Sequence, residues 1–96
     1  MATAKKDAII YQLKIGLRDA KPPIWRRVQV RSTTTLGKLH TIIQRAMGWY
    51  DCHMYDFEVD GQHYGRPMPD LDIKSDRNVR LSSFIPGEKY KFFYLY

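Results

Sequence analysis

The sequence predicts an α+β domain in the β-grasp, or ubiquitin-like, order: strand, strand, helix, strand, short strand, strand. Three patterns indicate this order: two alternating apolar stretches near the N-terminus, one stretch with helical spacing, and further alternating stretches after it. In such a fold one helix packs on a mixed sheet, and the last strand lies beside the first. A different α+β roll is the alternative architecture.

The first two strands are predicted to form an antiparallel hairpin. Apolar residues alternate over residues 9–17, which is typical of a half-buried strand. Residues 19–23 contain two prolines and connect this strand to a second one over residues 24–31. The register that matches the two core faces pairs Leu17 with Ile24, Leu13 with Val28, Tyr11 with Val30, Gly16 with Trp25 and Lys14 with Arg27.

This register places Arg26 on the inner face, opposite Ile15. A buried arginine without a partner is unfavourable. Either Arg26 extends its charged end to solvent at the end of the sheet, or a bulge turns Trp25 inward.

A helix is predicted over residues 36–47. Ser32 to Thr35 offer N-caps, and the apolar residues that follow recur at helical spacing. Gly48 is expected to end the helix in a left-handed conformation.

The C-terminal half is predicted to contain the remaining strands. Residues 54–59 alternate again, and Asp60-Gly61 is typical of a two-residue hairpin turn into a short strand over residues 62–64. Residues 65–80 have neither period and are predicted to be a long surface loop. The last strand is expected over residues 89–96.

Length and composition allow one domain. The chain has 96 residues, and residues 1–8 are predicted to be a disordered start before a single domain over residues 9–96. The single cysteine, Cys52, excludes an intrachain disulfide and favours a cytoplasmic location. No apolar run has the 18 or so residues of a membrane span, so no membrane association is expected.

Basic residues are concentrated in the first half of the chain. Residues 1–48 contain ten lysines and arginines and two acidic residues, whereas residues 49–96 contain six lysines and arginines and eight acidic residues. The formal net charge of +6 raises the expectation of an anionic partner. The same charge is also compatible with an ordinary solvated surface.

The predicted hairpin places cations beside an indole on its outward face. Cations beside an exposed aromatic ring can contact phosphates and stack on bases, which favours nucleic-acid binding. The alternatives are that the indole covers a strand glycine or is buried by a bulge, and that the arginines keep the face soluble. Five residues form this candidate site: Lys14, Arg18, Trp25, Arg27 and Arg31.

Catalytic and metal motifs are not evident in the sequence. The serines and tyrosines fall at capping, loop or strand-face positions, so resolvase chemistry is not supported. Phosphate-binding glycine loops are missing, and no cofactor is predicted. His40 is interpreted as a histidine at the edge of the core. No metal site is predicted from the candidate ligands Cys52, His53, His40, His63 and Asp51, because their spacing does not place them together.

Five segments resemble one known family. The PPIWRR run and the helix with the pattern LH…IIQ…MGW are its most specific parts. The resemblance is to the plasmid pRiA open-reading-frame-three-like family, also described as insertion-element passenger proteins and sometimes labelled resolvases. It covers about residues 9–96, with matching segments at residues 11–17, 21–30, 36–49, 53–65 and 91–96.

The resemblance implies a β-grasp-like fold in a plasmid or mobile-element setting, with no settled activity. In that family the final strand continues into a second half, so this sequence resembles the N-terminal half of a longer member. We therefore expect a non-enzymatic binding module, with nucleic acid as its first candidate partner. The alternatives are a protein–protein interaction module that uses an exposed strand edge, and a face that receives the family's C-terminal half. An enzyme whose site is completed by the family's C-terminal half is a further alternative.

Overall fold

The computed structural model describes residues 9–96 and contains one α-helix, two short 3-10 helices and six strands within this range. The predicted disordered start, residues 1–8, lies outside the described residues. The α+β class is confirmed. The elements are β1 (Ile10–Gly16), β2 (Trp25–Arg31), α1 (Leu36–Met47), β3 (Asp56–Val59), β4 (Gln62–Gly65), β5 (Ile73–Ser75) and β6 (Phe93–Leu95).

The hairpin of β1 and β2 is an antiparallel two-stranded sheet with the predicted register. Leu13 lies opposite Val28, and Gly16 lies opposite Trp25, with no bulge between them. Trp25 therefore stays on the outward face, where it is 44% exposed. Arg26 is exposed, and its guanidinium donates a hydrogen bond of 2.9 Å to the Trp25 carbonyl oxygen. Ile24, which was expected in the core, is exposed instead.

Helix α1 begins and ends at the predicted residues. The Thr35 hydroxyl accepts a hydrogen bond from the Lys38 amide, as an N-cap does, and Gly48 adopts a φ of 73°. The buried face of the helix carries three leucine or isoleucine side chains and two polar ones. These residues are Leu36, Leu39, His40, Ile43 and Gln44.

The second sheet has four strands in the order β5, β4, β3, β6. Its β3–β4 hairpin turns at Asp60-Gly61, and both residues have positive φ as predicted. The segment predicted to be one long loop contains β5, which pairs with β4 in parallel.

The last strand pairs with β3 rather than with β1. The β-grasp order is therefore not confirmed, because that fold places the last strand beside the first. The hairpin is instead a sheet of its own, separate from the four-stranded sheet. Both sheets contribute to one apolar core with α1. Its buried members are Val30, Leu36, Leu39, Ile43, Phe57, Val59 and Leu81.

Candidate nucleic-acid interface and a polar ring beside the helix

The structure brings three of the five predicted site residues together. On the outward face of the hairpin, the Lys14 ammonium lies 5.0 Å from the centroid of the Trp25 ring. The Arg27 guanidinium carbon lies 5.3 Å from the same ring. Both distances are typical of cation–π contacts, so the two cations and the indole form one cluster.

The other two predicted residues lie apart from this cluster. Arg31 is on the same outward face of β2, four residues beyond Arg27, or about 13 Å along an extended strand. Arg18 contacts the other sheet, where its guanidinium carbon lies 5.3 Å from the centroid of the Phe93 ring. Arg31 therefore extends the hairpin face, whereas Arg18 joins the hairpin end to β6.

The cations of the hairpin face lack acidic partners. Within residues 9–96, no carboxylate forms an ion pair with Lys14, Arg27 or Arg31. Lys14 lies directly opposite Arg27, and two like charges in this position repel one another. The space above Gly16 is open, so the indole does not close tightly over that glycine. The face is thus exposed and positively charged, with no compensating carboxylate among residues 9–96.

A second cluster lies at the boundary of α1, β6 and the loop before β3. The His40 ring is buried and stacks on the Tyr55 ring with a centroid distance of 3.6 Å. Its Nδ1 atom lies 2.6 Å from the Tyr94 hydroxyl, and its Nε2 atom lies 2.9 Å from a carboxylate oxygen of Asp51. Gln44 completes a closed ring, because its side chain bonds both the Tyr94 hydroxyl and the Asp51 amide.

Two groups set the directions of the hydrogen bonds in this ring: the Asp51 backbone N–H, which donates, and the Asp51 carboxylate, which accepts. The Asp51 N–H can only donate, so it fixes the Gln44 carbonyl oxygen as its acceptor at 2.8 Å. The Gln44 amide nitrogen then donates to the Tyr94 oxygen, and the Tyr94 hydroxyl donates to Nδ1 of His40. The Asp51 carboxylate can only accept, so Nε2 of His40 donates to it, which in a neutral imidazole leaves Nδ1 as the acceptor from Tyr94.

Two tyrosines of this region have raised pKa values. Burial raises the pKa of Tyr94 to about 12, and the Asp51 carboxylate acts in the same direction. Burial also raises the pKa of Tyr55, whose hydroxyl donates to the buried Asp76 carboxylate at 2.6 Å. A nucleophilic tyrosine needs its proton removed easily, and these environments favour the protonated form.

The sequence did not reveal the polar ring. His40 bonds residues that are 11 and 54 positions away along the chain, so no local spacing connects them. The only available signal was a histidine and a glutamine one helical turn apart on the buried side of α1. Within the described range, no group of three or more His, Cys, Asp or Glu side chains is placed to hold a metal ion.

No helix of residues 9–96 is long and apolar enough to cross a membrane.

The fold, the exposed basic hairpin and the polar ring define a small α+β domain with one candidate binding face. The chain belongs to the family of plasmid pRiA4b ORF-3-like proteins, whose family model matches residues 9–96. The resemblance inferred from the sequence is therefore confirmed.

Two similar proteins are themselves of unknown function. The chain is 35% identical over 92 residues to the uncharacterized protein y4hQ of Sinorhizobium fredii, covering 93% of this chain and 47% of y4hQ. The chain is also 31% identical to the protein of unknown function MM3350 from Methanosarcina mazei Go1, with a TM-score of 0.79. This structural match covers 88% of this chain and 50% of MM3350. The chain thus spans about half the length of each.

Proposed function

We propose that this domain is a non-enzymatic binding module and that the outward face of the β1–β2 hairpin binds nucleic acid. The observation that supports this most directly is the pairing of Lys14 with Arg27 around Trp25. Two cations held opposite each other without a carboxylate repel one another, and a bound phosphate would relieve that repulsion.

The shape of the face also suits a strand of nucleic acid. Arg31 continues the basic stripe along β2, so phosphates about 13 Å apart can be contacted at its two ends. The indole of Trp25 is 44% exposed and offers an apolar edge beside the cations, against which a base can pack. A nucleic-acid partner and a single cysteine both fit a reducing, cytoplasmic setting.

Fluorescence anisotropy with short labelled single-stranded and duplex DNA tests this proposal. We expect binding that weakens steeply as salt rises from about 50 to 200 mM, because bound phosphates release counterions. The double variant Arg27→Ala/Arg31→Ala should bind more weakly and show a smaller salt slope. On duplex DNA the slope should fall by about 0.9 for each phosphate contact that is lost.

The matched control is Arg66→Ala/Arg77→Ala, which removes the same charge from two exposed arginines in loops outside the hairpin. This variant should retain the affinity and salt slope of the original chain. Equal losses in the two double variants would show that net charge, not the hairpin face, attracts DNA. Lack of binding to either form of DNA at the lowest salt concentration would contradict the proposal.

A further inference from the structure

Strand β6 forms an outer edge of the four-stranded sheet. Its one strand neighbour within residues 9–96 is β3, so its other side has no backbone partner there. Unpaired N–H and C=O groups along such an edge can accept a further strand of polypeptide. Natural proteins usually protect edges of this kind with charged side chains or with covering segments.

The side chains that β6 exposes are apolar, although the Arg18 guanidinium lies over one of them, Phe93. Phe93 is 48% exposed and Leu95 52% exposed, and Met54, which precedes β3, is 67% exposed. Met54, Leu95 and Tyr96 line one end of a shallow groove of about 220 Å³, which continues past Tyr55 and Asp56 to Ile73 of β5. We call Met54, Phe93, Leu95 and Tyr96 the β6 edge surface.

The opposite edge of the same sheet differs in chemistry. There β5 has the sequence Ile-Lys-Ser, and Lys74 at its centre is exposed. A lysine on an edge strand discourages pairing with another chain. Of the two edges of this sheet, the β6 edge surface is therefore the one suited to burial against protein.

The lengths of the relatives indicate what covers this surface. The aligned regions make up 47% of y4hQ and 50% of MM3350, so each relative carries a further stretch about as long as this fold. A stretch that packs on the same fold needs exposed apolar side chains to bury, and the β6 edge surface supplies them. We propose that the β6 edge surface docks polypeptide, and that its occupant is the half of the family's chain that does not align with residues 9–96.

Thiol labelling of single cysteines tests this assignment. In this chain, Leu95→Cys and Met54→Cys are made on a Cys52→Ser background, and cysteines are placed at the aligned positions of full-length y4hQ without its other cysteines. We expect labelling at both positions to be slower in y4hQ than in this chain, by about tenfold or more. The docked segment must first separate from the surface before the thiol can react. Circular dichroism confirms that each variant is folded.

The matched control is Ile10→Cys, on the outward face of the hairpin, where Ile10 is 60% exposed. Labelling at the aligned position should be equally fast in both proteins. If the Leu95 and Met54 positions are labelled as fast in y4hQ as in this chain, the proposal is overturned. Slow labelling in this chain that speeds up on dilution would overturn the assigned occupant, because a second copy would then cover the surface. None of these outcomes depends on nucleic-acid binding, which uses the other sheet.

Discussion

Two glycines in strands differ sharply in the space around them. A Cβ atom at Gly65 would lie 2.9 Å from the carbonyl oxygen of Tyr55, which is backbone and cannot turn aside. A Cβ atom at Gly16 would meet nothing within 4 Å. Gly65 is therefore required by close packing of β4 against the chain before β3, whereas Gly16 is not constrained in this way.

We expect Gly65→Ala to lower the free energy of unfolding by about 1–3 kcal/mol, as overpacking does in a buried site. The control Gly16→Ala should be neutral or stabilising by about 0.4–1 kcal/mol, because alanine restricts the unfolded chain. Urea denaturation of the two variants measures both values. Equal stability of the two alanine variants would contradict the contact at Gly65.

Strand β6 is attached to α1 by the polar ring as well as by apolar packing. In the variant Tyr94→Phe, the Gln44 amide and His40 Nδ1 lose the hydroxyl that they share. Leaving buried polar groups unpaired costs about 1–3 kcal/mol, so we expect a loss of stability in this range. Urea denaturation gives the value, and hydrogen exchange shows whether β6 opens first.

Tyr11→Phe is the matched control for this variant. Tyr11 is a half-buried tyrosine of β1 whose hydroxyl makes no hydrogen bond within residues 9–96. Its loss should change the free energy of unfolding by less than about 0.5 kcal/mol. If Tyr94→Phe is no more destabilising than Tyr11→Phe, the ring does not hold β6 in place.

The elements differ in how far the sequence could predict them. The register of the hairpin and the bounds of α1 follow from alternation, helical spacing and caps, all of which are local. Strand β5 has three residues, and β6 pairs with β3 rather than β1. Nothing in the neighbouring residues specifies such long-range pairings, because their stability comes from tertiary contacts.

The candidate sites divide in the same way. Lys14, Trp25 and Arg27 were placed together because strand register determines which side chains are neighbours. Arg18 was assigned to the same face, but it lies beyond the end of β1 and contacts Phe93 instead. The alternation of side chains between the two faces holds only within a strand, so the sequence pattern could not predict where the Arg18 side chain lies.

The free energy of unfolding of the whole molecule should decrease at alkaline pH. The ordinary pKa of tyrosine is 10.0, whereas burial raises that of Tyr94 to about 12 in the folded chain and also raises that of Tyr55. Between these values the unfolded chain loses its tyrosine protons while the folded chain keeps them. The stabilisation from these groups is therefore complete below pH 10 and is lost as pH rises towards 12.

Urea midpoints measured at about pH 9 and pH 11 test this dependence. The urea midpoint should be lower at pH 11 than at pH 9, and this decrease should be smaller in Tyr94→Phe, which lacks one of the tyrosines with a raised pKa. A midpoint that stays constant, or a fall of the same size in Tyr94→Phe, would contradict the contribution of Tyr94.

The polar ring also has a consequence for proton movement. Each of its four groups gives one hydrogen to the next in a single rotational sense, and one of the four donors is the peptide N–H of Asp51. A hydrogen could circulate only if that peptide nitrogen gave up its own hydrogen, which peptide groups do not do near neutral pH. The ring therefore has one fixed direction, and we expect its contribution to be holding β6 against α1, not circulating protons.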